Sequence, residues 1–217
     1  MDSYKLFLDQ FHRAINDANR DINDVELIAI SKKKPISQIK EIYSQGQKAF
    51  GENQLNEIEE KWIPIKNSMH DFHLHFVGTV QSRKVRSILD HCEYIHSVDR
   101  IKIIKIIKDY ENETGNKRKY FIQINTGNEK QKSGVLINDA DKFISECQNN
   151  YKLEIYGLMC LPPINDNPTK HFLNLQAIAK NNNIKKLSMG MSNDFAEAIK
   201  CGSTHIRIGT KIFGPRS

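Results

Sequence analysis

Cysteine is scarce in this sequence, with four residues among 217, and the four are widely dispersed. No two of them form a C-x-x-C pair, so the chain indicates neither a disulfide framework nor a cysteine zinc site. We therefore expect Cys92, Cys147, Cys160 and Cys201 to be reduced thiols that are mostly buried.

Long hydrophobic runs are lacking as well. The longest apolar stretches are far too short to span a bilayer. The N-terminal segment MDSYKLFLDQFHRAIND mixes charged with apolar residues and has no continuous apolar core of the kind that a secretory signal needs. Because 39% of the residues are apolar and 27% are charged, the composition is that of a soluble globular protein. We expect a cytoplasmic protein with no membrane partner.

An excess of negative charge is also absent, since the formal net charge is +6 at pH 7. A basic chain favours an anionic partner, which phosphate-bearing small molecules satisfy as well as nucleic acids do. No recognisable nucleic-acid-binding motif accompanies the charge, GTKIFG is not a dinucleotide fingerprint, and no G-x-x-x-x-G-K-[ST] loop is present. We therefore expect no nucleic acid among the partners.

The pattern of apolar residues predicts one N-terminal helix followed by eight βα units. Within residues 1–20, one helical face carries Tyr4, Phe7, Phe11, Ala14, Ile15 and Ala18. From Val25 onward, short apolar runs alternate with longer helical patterns, which is typical of a parallel sheet. We expect a single α/β domain over residues 1–217, closed as a (β/α)8 TIM barrel, with an open doubly wound sheet as the alternative.

The predicted strands cover residues 26–31, 48–51, 74–78, 94–97, 120–125, 153–159, 186–189 and 204–208. Residues that are typical of helix starts or ends follow most of these strands. Pro35 suits the first position of the helix after the first strand. The polar residues expected to cap helices are Asn53, Ser82, Asp99 and Asp194, the last in a capping box with Glu197.

A barrel of this kind places its chemistry at the carboxyl ends of the strands. In SMGMSND, Ser192 stands where a helix is predicted to begin, so its hydroxyl and the following amides suit an anion. In HIRIGTKIFG, Gly209 and Thr210 offer two more amides and a hydroxyl directly after a strand. Together the stretches match the phosphate site that such barrels often build after strands seven and eight, although either one alone is compatible with an ordinary cap or turn.

Two cationic side chains are further candidates. Arg207 alternates with Ile206 and Ile208, so its guanidinium points into the barrel and needs an acceptor on a ligand or on a structural carboxylate. In AISKKKP, alternation keeps Lys32 in register with the strand and turns Lys33 away. A partly desolvated lysine crowded by like charge holds more of its amine uncharged, and a free amine condenses with an aldehyde to give an imine. The alternative is a solvated charge cluster.

Histidines are clustered in HDFHLH, where His70, His73 and His75 lie close together. Histidine is the commonest transition-metal ligand. A catalytic metal set would also need a carboxylate with supporting geometry, and nothing in the sequence marks one. We therefore expect no metal at these residues.

Several stretches resemble the pyridoxal phosphate homeostasis proteins, a family related to the N-terminal barrel of alanine racemase. The matching stretches are AISKKKP, FGENQLNE, LHFVGTVQSRK, IHSVDR, QINTGNEKQKSGV, YGLMCLPP and LSMGMSNDFAEAIKCGSTHIRIGTKIFGPR. They run from the first strand to the C-terminus, and the last stretch is long and ungapped. The chain departs from the usual family pattern at Lys33 and, around strand three, at Leu74, Thr79 and Arg83.

The resemblance implies an alanine racemase-like barrel (fold type III) that holds pyridoxal 5'-phosphate (PLP) as an internal aldimine on Lys32. The other contacts that it implies are Ser192, Gly209 and Thr210 for the phosphate, Arg207 for the pyridine nitrogen, and Asn53 and Met191 near the ring or the phosphate. An arginine at the nitrogen disfavours a protonated ring, which makes the cofactor a weaker electron sink.

The expected function is that of a PLP carrier, acting in storage, buffering or delivery of the cofactor without dedicated catalysis. Its expected partners are PLP and apo PLP-dependent enzymes, and we expect a monomer. The alternative is a PLP-dependent amino-acid racemase of the same barrel type. Such racemases add a C-terminal β domain whose tyrosine supplies the opposite acid/base. The sequence ends at Ser217, directly after the eighth unit, which favours the carrier.

Overall fold

Eight parallel strands close into a barrel in the computed structural model, which describes residues 3–129 and 131–214. The ring contains β1 (Glu26–Ile30), β2 (Ala49–Glu52), β3 (His73–Phe76), β4 (Tyr94–Val98), β5 (Lys119–Asn125), β7 (Ile155–Cys160), β8 (Lys186–Ser188) and β9 (His205–Ile208). A two-residue strand, β6 (Val135–Leu136), pairs with β5 outside the ring. Because β9 pairs with β1 and β4 pairs with β5, the ring is closed. The predicted (β/α)8 barrel is confirmed, and the open doubly wound sheet is wrong.

All eight predicted strands are present, with ends displaced by up to a few residues. The third strand ends at Phe76 and not at Gly78, and β7 begins at Ile155, two residues after its predicted start. The sequence did not predict β6, because two residues are too few to show an alternating pattern.

Helices follow the strands on the outside of the barrel. They are α1 (Ser3–Asp17), α2 (Ile36–Ser44), α3 (Leu55–Glu57), α4 (Ile63–Ile65), α5 (Val85–His91), α6 (Ile101–Thr114), α7 (Ala140–Asn149), α8 (Pro168–Asn181), α9 (Phe195–Lys200) and α10 (Thr210–Phe213). A π-helical turn, Ile58–Trp62, joins α3 to α4. None of the helices among the described residues is long and apolar enough to cross a bilayer.

The N-terminal helix α1 packs its predicted apolar face against the last two helices. The buried residues of α1 are Tyr4, Phe7, Phe11, Ala14 and Ile15, as predicted. The rings of Phe7 and Phe195 meet edge to face with centroids 5.2 Å apart. The Ser3 hydroxyl donates a hydrogen bond to the carbonyl oxygen of Ile212 at 2.8 Å. The helix therefore buries its apolar stripe on α9 and α10.

Three of the predicted helix caps are wrong. Asn53 precedes α3 by two residues and leaves Gln54 at its N-cap, without a side-chain capping bond. Ser82 lies inside a short 3-10 turn, Ser82–Lys84. The carboxylate of Asp99 accepts hydrogen bonds from the guanidinium of Arg100 at 2.5 Å and from the Gly134 amide at 3.3 Å. Asp99 therefore bonds to donors outside its own helix, which local capping rules do not anticipate.

The four cysteines are free and buried, as predicted. Most of the apolar core lies between the barrel wall and the helices, while Tyr94, Phe121 and Met159 form a separate small cluster. Burial raises the pKa of the Cys160 thiol to about 12, so this side chain is an uncharged core group.

Candidate functional site

All seven residues predicted to contact a cofactor line one cavity of about 640 Å³ at the carboxyl ends of the strands. They are Lys32, Asn53, Met191, Ser192, Arg207, Gly209 and Thr210. The charged residues of the wall are Lys32, Lys34, Lys132 and Arg207, all cationic. Among the described residues, the wall includes no carboxylate, histidine or tyrosine. The cavity is therefore suited to an anionic ligand.

The three lysines of AISKKKP leave β1 in a tight turn and diverge. The amide of Lys34 donates a hydrogen bond to the carbonyl oxygen of Ser31 at 3.0 Å, which closes the turn. Lys33 has φ +58°, in the left-handed region, and its side chain is exposed. Lys32 is half-buried and lines the cavity. The turn therefore separates Lys32 from Lys33, as strand alternation predicted.

A buried ion pair underlies this turn. The ammonium of Lys61 lies 2.6 Å from Oε1 of Glu52 and donates to the carbonyl oxygen of Ser31 at 2.8 Å. The same Glu52 oxygen accepts from the Ser31 hydroxyl at 2.7 Å and from the Trp62 indole at 3.1 Å. Burial raises the pKa of the Glu52 carboxyl, and the Lys61 charge offsets part of that increase. Lys61 and Trp62 reach the turn from the π-helical segment, a feature that is frequent at functional sites.

A second carboxylate links the same lysine to the outer side of the turn. Oε2 of Glu57 lies 2.7 Å from Nζ of Lys61 and accepts a hydrogen bond from the Lys33 amide at 2.5 Å. Sequence reasoning missed Glu52, Glu57 and Lys61. The available signals were a carboxylate in the apolar strand AFGE and a Glu–Lys pair four residues apart.

The SMGMSND loop is held against the end of β9. The amide of Arg207 donates to the carbonyl oxygen of Gly190 at 3.1 Å. Gly190 has φ +95°, and a Cβ there would meet the Cβ of Ala198 at 2.5 Å, so the position requires glycine. Ser192 lies in a turn three residues before α9 and not at its first residue.

The predicted capping box in this loop is wrong. Asp194 does occupy the N-cap of α9, but its side chain makes no capping bond to that helix. Its carboxylate accepts from the Met191 amide at 2.6 Å instead. The bond folds the loop so that Met191 and Ser192 line the cavity.

Arg207 is buried, with 4% of its surface exposed, and two neutral oxygens accept from its guanidinium. Nη1 donates to the Ser188 hydroxyl at 2.5 Å and Nη2 donates to the carbonyl oxygen of Cys160 at 2.9 Å. Neither is the carboxylate that the sequence left as an alternative. Burial lowers the pKa of the guanidinium to about 10, so it stays charged at neutral pH. Arg207 thus brings a positive charge to the cavity wall.

The side chain of Asn53 brings a hydrogen-bond acceptor to the cavity. Its side-chain oxygen is buried and has no hydrogen-bond partner among the described residues, although the residue lines the cavity. Gly78 packs so closely that a Cβ there would lie 2.0 Å from the Asn53 carbonyl oxygen. The open acceptor at Asn53 and the cationic wall fit a polar, anionic cofactor.

The histidines of HDFHLH take separate roles. His73 is exposed, and its Nδ1 lies 2.7 Å from Oε2 of Glu93. His75 is fully buried inside the barrel and stacks on Tyr94 with ring centroids 4.0 Å apart. The described residues contain no group of three or more side chains arranged to hold a metal ion.

Comparisons with known proteins agree with this architecture. A family model described as the alanine racemase N-terminal domain matches residues 7–217. The pyridoxal phosphate homeostasis protein of Haemophilus influenzae is 36% identical over 222 residues, which cover 98% of this chain and 94% of that protein. The structure of PipY from Synechococcus elongatus PCC7942 with PLP bound has a TM-score of 0.82 and 28% identity, and covers 94% of this chain and 99% of PipY.

A more distant comparison shows the fold alone. An alanine racemase from Clostridium difficile 630 has a TM-score of 0.72 at 12% identity. The match covers 96% of this chain but 57% of the racemase. The matched length and identity to the curated relatives therefore decide the family: this chain belongs to the pyridoxal phosphate homeostasis proteins, which are built on the alanine racemase N-terminal domain.

Proposed function

We propose that this protein binds PLP in the cavity, that the amine of Lys32 holds the cofactor aldehyde as an imine, and that the protein stores, buffers or delivers PLP without turnover of its own. The proposal is supported by the name of the Haemophilus influenzae relative and by the PLP-bound structure of PipY.

One observation carries the proposal. Side chains from opposite ends of the sequence, from Lys32 after β1 to Thr210 after β9, line one cavity whose charged residues are all cationic. The cavity therefore contains both an amine that can react with the aldehyde and polar groups that can bind the phosphate. This combination matches the two reactive ends of PLP, and a site for phosphate alone would not need the amine.

The residues would divide the binding as follows. Ser192, Gly209 and Thr210 offer hydroxyl and backbone amide donors to the phosphate. Arg207 has only donors, so it favours an unprotonated pyridine nitrogen. When bound, PLP supplies an electron sink, and an unprotonated ring weakens it. Asn53 and Met191 complete the wall.

The composition of the wall favours a carrier over a racemase. Racemisation requires an acid/base group on each face of the substrate carbon. The described wall has lysines but no tyrosine, histidine or carboxylate that would act opposite Lys32. We propose that the recipients of the cofactor are apo PLP-dependent enzymes, and that the protein acts as a cytoplasmic monomer.

The test is to load the purified protein with PLP, record the imine absorption band, reduce with borohydride and locate the adduct by mass spectrometry. We expect the adduct on Lys32 and its loss in Lys32→Ala. The matched control is Lys33→Ala, which changes an exposed lysine of the same turn. An adduct that persists in Lys32→Ala would refute the assignment.

A racemisation assay on alanine and serine separates the carrier from the enzyme. We expect no robust turnover by the loaded protein. Transfer of PLP to an apo-enzyme in the same mixture would restore that enzyme's activity. Turnover at the rate of a dedicated racemase would contradict the carrier.

A further inference from the structure

A chain of buried hydrogen bonds runs from Arg207 through the inside of the barrel. Nη1 of Arg207 donates to Oγ of Ser188 at 2.5 Å. The Ser188 hydroxyl lies 2.8 Å from Nδ1 of His96, and Nε2 of His96 lies 3.0 Å from Nδ1 of His75. Nε2 of His75 then faces Oε2 of Glu26 at 3.8 Å, which is ion-pair range but too long for a hydrogen bond.

The three middle members of this chain are fully buried. Ser188, His96 and His75 each have 0% of their surface exposed. The ring of His96 stacks on Phe121 at a centroid distance of 4.2 Å, as His75 stacks on Tyr94. Burial lowers the pKa of both imidazoles well below the usual value, so both rings are neutral at physiological pH. Each neutral ring therefore has one donor nitrogen and one acceptor nitrogen.

The guanidinium sets the direction of the chain because it can only donate. If the Ser188 hydroxyl donates a hydrogen bond to Nδ1 of His96, then Nδ1 is unprotonated and the ring proton of His96 lies on Nε2. That proton is donated to Nδ1 of His75, whose own proton then lies on Nε2 and points to the Glu26 carboxylate. In this direction each of the three hydrogen bonds from Arg207 to His75 pairs one donor with one acceptor, and the remaining N–H of His75 faces the Glu26 carboxylate within ion-pair range.

The opposite direction leaves one buried donor without an acceptor and one buried lone pair facing a negative oxygen. A proton on Nδ1 of His96 would be donated to Ser188, which already accepts from Arg207. The hydroxyl proton of Ser188 would then have no acceptor among its described contacts. The bare lone pair of His75 Nε2 would face the negative oxygen of Glu26. An unsatisfied buried donor and a repulsive contact both cost free energy.

We propose that Ser188, His96 and His75 are positioning residues that form a one-directional hydrogen-bond chain from Arg207 to His75, that the chain points toward the Glu26 carboxylate, and that it fixes the guanidinium at the cavity wall. The proposal rests on the proposed function, because it assigns Arg207 to the cofactor. It also gives a role to the histidine motif that PLP binding leaves unused.

The chain stabilises the buried positive charge of Arg207. Its two described hydrogen-bond acceptors are neutral oxygens. A row of aligned dipoles that ends at a carboxylate presents its negative ends to the cation, and such hydrogen bonds strengthen one another in a low dielectric. The aligned chain therefore stabilises the charge and holds Nη1 away from the ligand, which leaves the other donors to face the cavity.

The first test uses the wild-type protein without ligand. Long-range ¹H–¹⁵N NMR on histidine-labelled protein reports which ring nitrogen carries the proton, and His75→Gln and His96→Phe assign the signals. We expect His75 and His96 both to be protonated at Nε2. A proton on Nδ1 of either ring, or a doubly protonated ring at neutral pH, would overturn the chain.

The second test is a double-mutant cycle on PLP affinity. His96→Phe keeps an aromatic ring on Phe121, and Ser188→Ala removes the hydroxyl. Each single change should weaken PLP binding about tenfold, the factor for one hydrogen bond to a charged group. Since either change breaks the chain, the double variant should be no weaker than the single variants. Independent structural roles would instead multiply the two effects, and that result would refute the proposal.

The control is His73→Gln, which changes an exposed histidine of the same strand and should leave the affinity unchanged. Equal affinity of His96→Phe and the wild type would also refute the chain. The experiments distinguish a failure of the proposed function from a failure of the hydrogen-bond chain. If the wild type does not bind PLP, the proposed function is wrong, and the tautomers of His75 and His96 still decide whether the chain exists.

Discussion

Lys61 donates a hydrogen bond to the carbonyl oxygen of Ser31, the residue directly before Lys32, at 2.8 Å. The same ammonium pairs with Glu52 and Glu57, so one buried cation joins the ends of β1 and β2 to the π-helical turn. The direction in which Lys32 leaves the strand therefore depends on a residue 29 positions further along the chain.

Lys61→Met should destabilise the protein by about 3 kcal/mol, because it leaves the buried Glu52 carboxylate without its counter-charge. Urea unfolding measures the loss, and borohydride trapping should show slower formation of the Lys32 adduct. The double variant Lys61→Met/Glu52→Gln should be more stable than Lys61→Met, since it removes the unpaired charge. Lys66→Met changes an exposed lysine nearby and is the control. Equal stability of Lys61→Met and Lys66→Met would contradict this account.

Gly78→Ala should cost about 1–3 kcal/mol, the usual cost of overpacking. The added Cβ would lie 2.0 Å from the backbone oxygen of Asn53, so the cavity wall must shift and PLP affinity should fall. Gly115→Ala serves as the comparison. Gly115 has φ +71° and open space around its Cβ position, so we expect a loss of stability without a change in PLP affinity. Unchanged affinity in Gly78→Ala would show that Asn53 does not shape the site.

Stability should decrease as the pH falls below about 6.5, the ordinary pKa of histidine. Burial lowers the pKa of His75 and His96 in the folded protein, so the unfolded chain takes up protons first. The contribution of the two histidines to the free energy of unfolding is therefore complete above their pKa in the unfolded chain. It is lost as the pH falls toward their lower pKa in the folded protein. Each histidine contributes a slope of up to about 1.4 kcal/mol per pH unit.

Urea unfolding between about pH 7.5 and about pH 5 measures this slope. His96→Phe should flatten it, because the variant has one buried imidazole fewer. The interpretation fails if His96→Phe leaves the slope as steep as it is in the wild type.

Phe7→Ala should destabilise the protein by about 3–5 kcal/mol, since the ring is 1% exposed and packs on Phe11 and Phe195. Leu6→Ala, one residue earlier in α1, removes a side chain that is 41% exposed and should cost much less. Thermal unfolding followed by circular dichroism compares the two. Similar losses would mean that α1 does not pack as the structure shows.

The sequence by itself determined the eight βα units, because its signals for them are local and repeated. Alternating apolar runs and helical periods recur through the chain, and each strand was recognisable within a few residues. The same alternation indicated that Arg207 points inward and that Lys32 and Lys33 diverge. The long match from Leu187 to Arg216 was enough to indicate the family.

Only the tertiary structure decided which polar groups meet across the barrel. Glu52 and Lys61 converge under the lysine turn, and His96 lies 92 positions from the serine that it contacts. No local period encodes such pairs, because they exist only when the folded barrel brings side chains from different elements within hydrogen-bond distance. The failed cap at Asp99 has the same cause, because its carboxylate accepts from the Gly134 amide, 35 positions away, and not from its own helix.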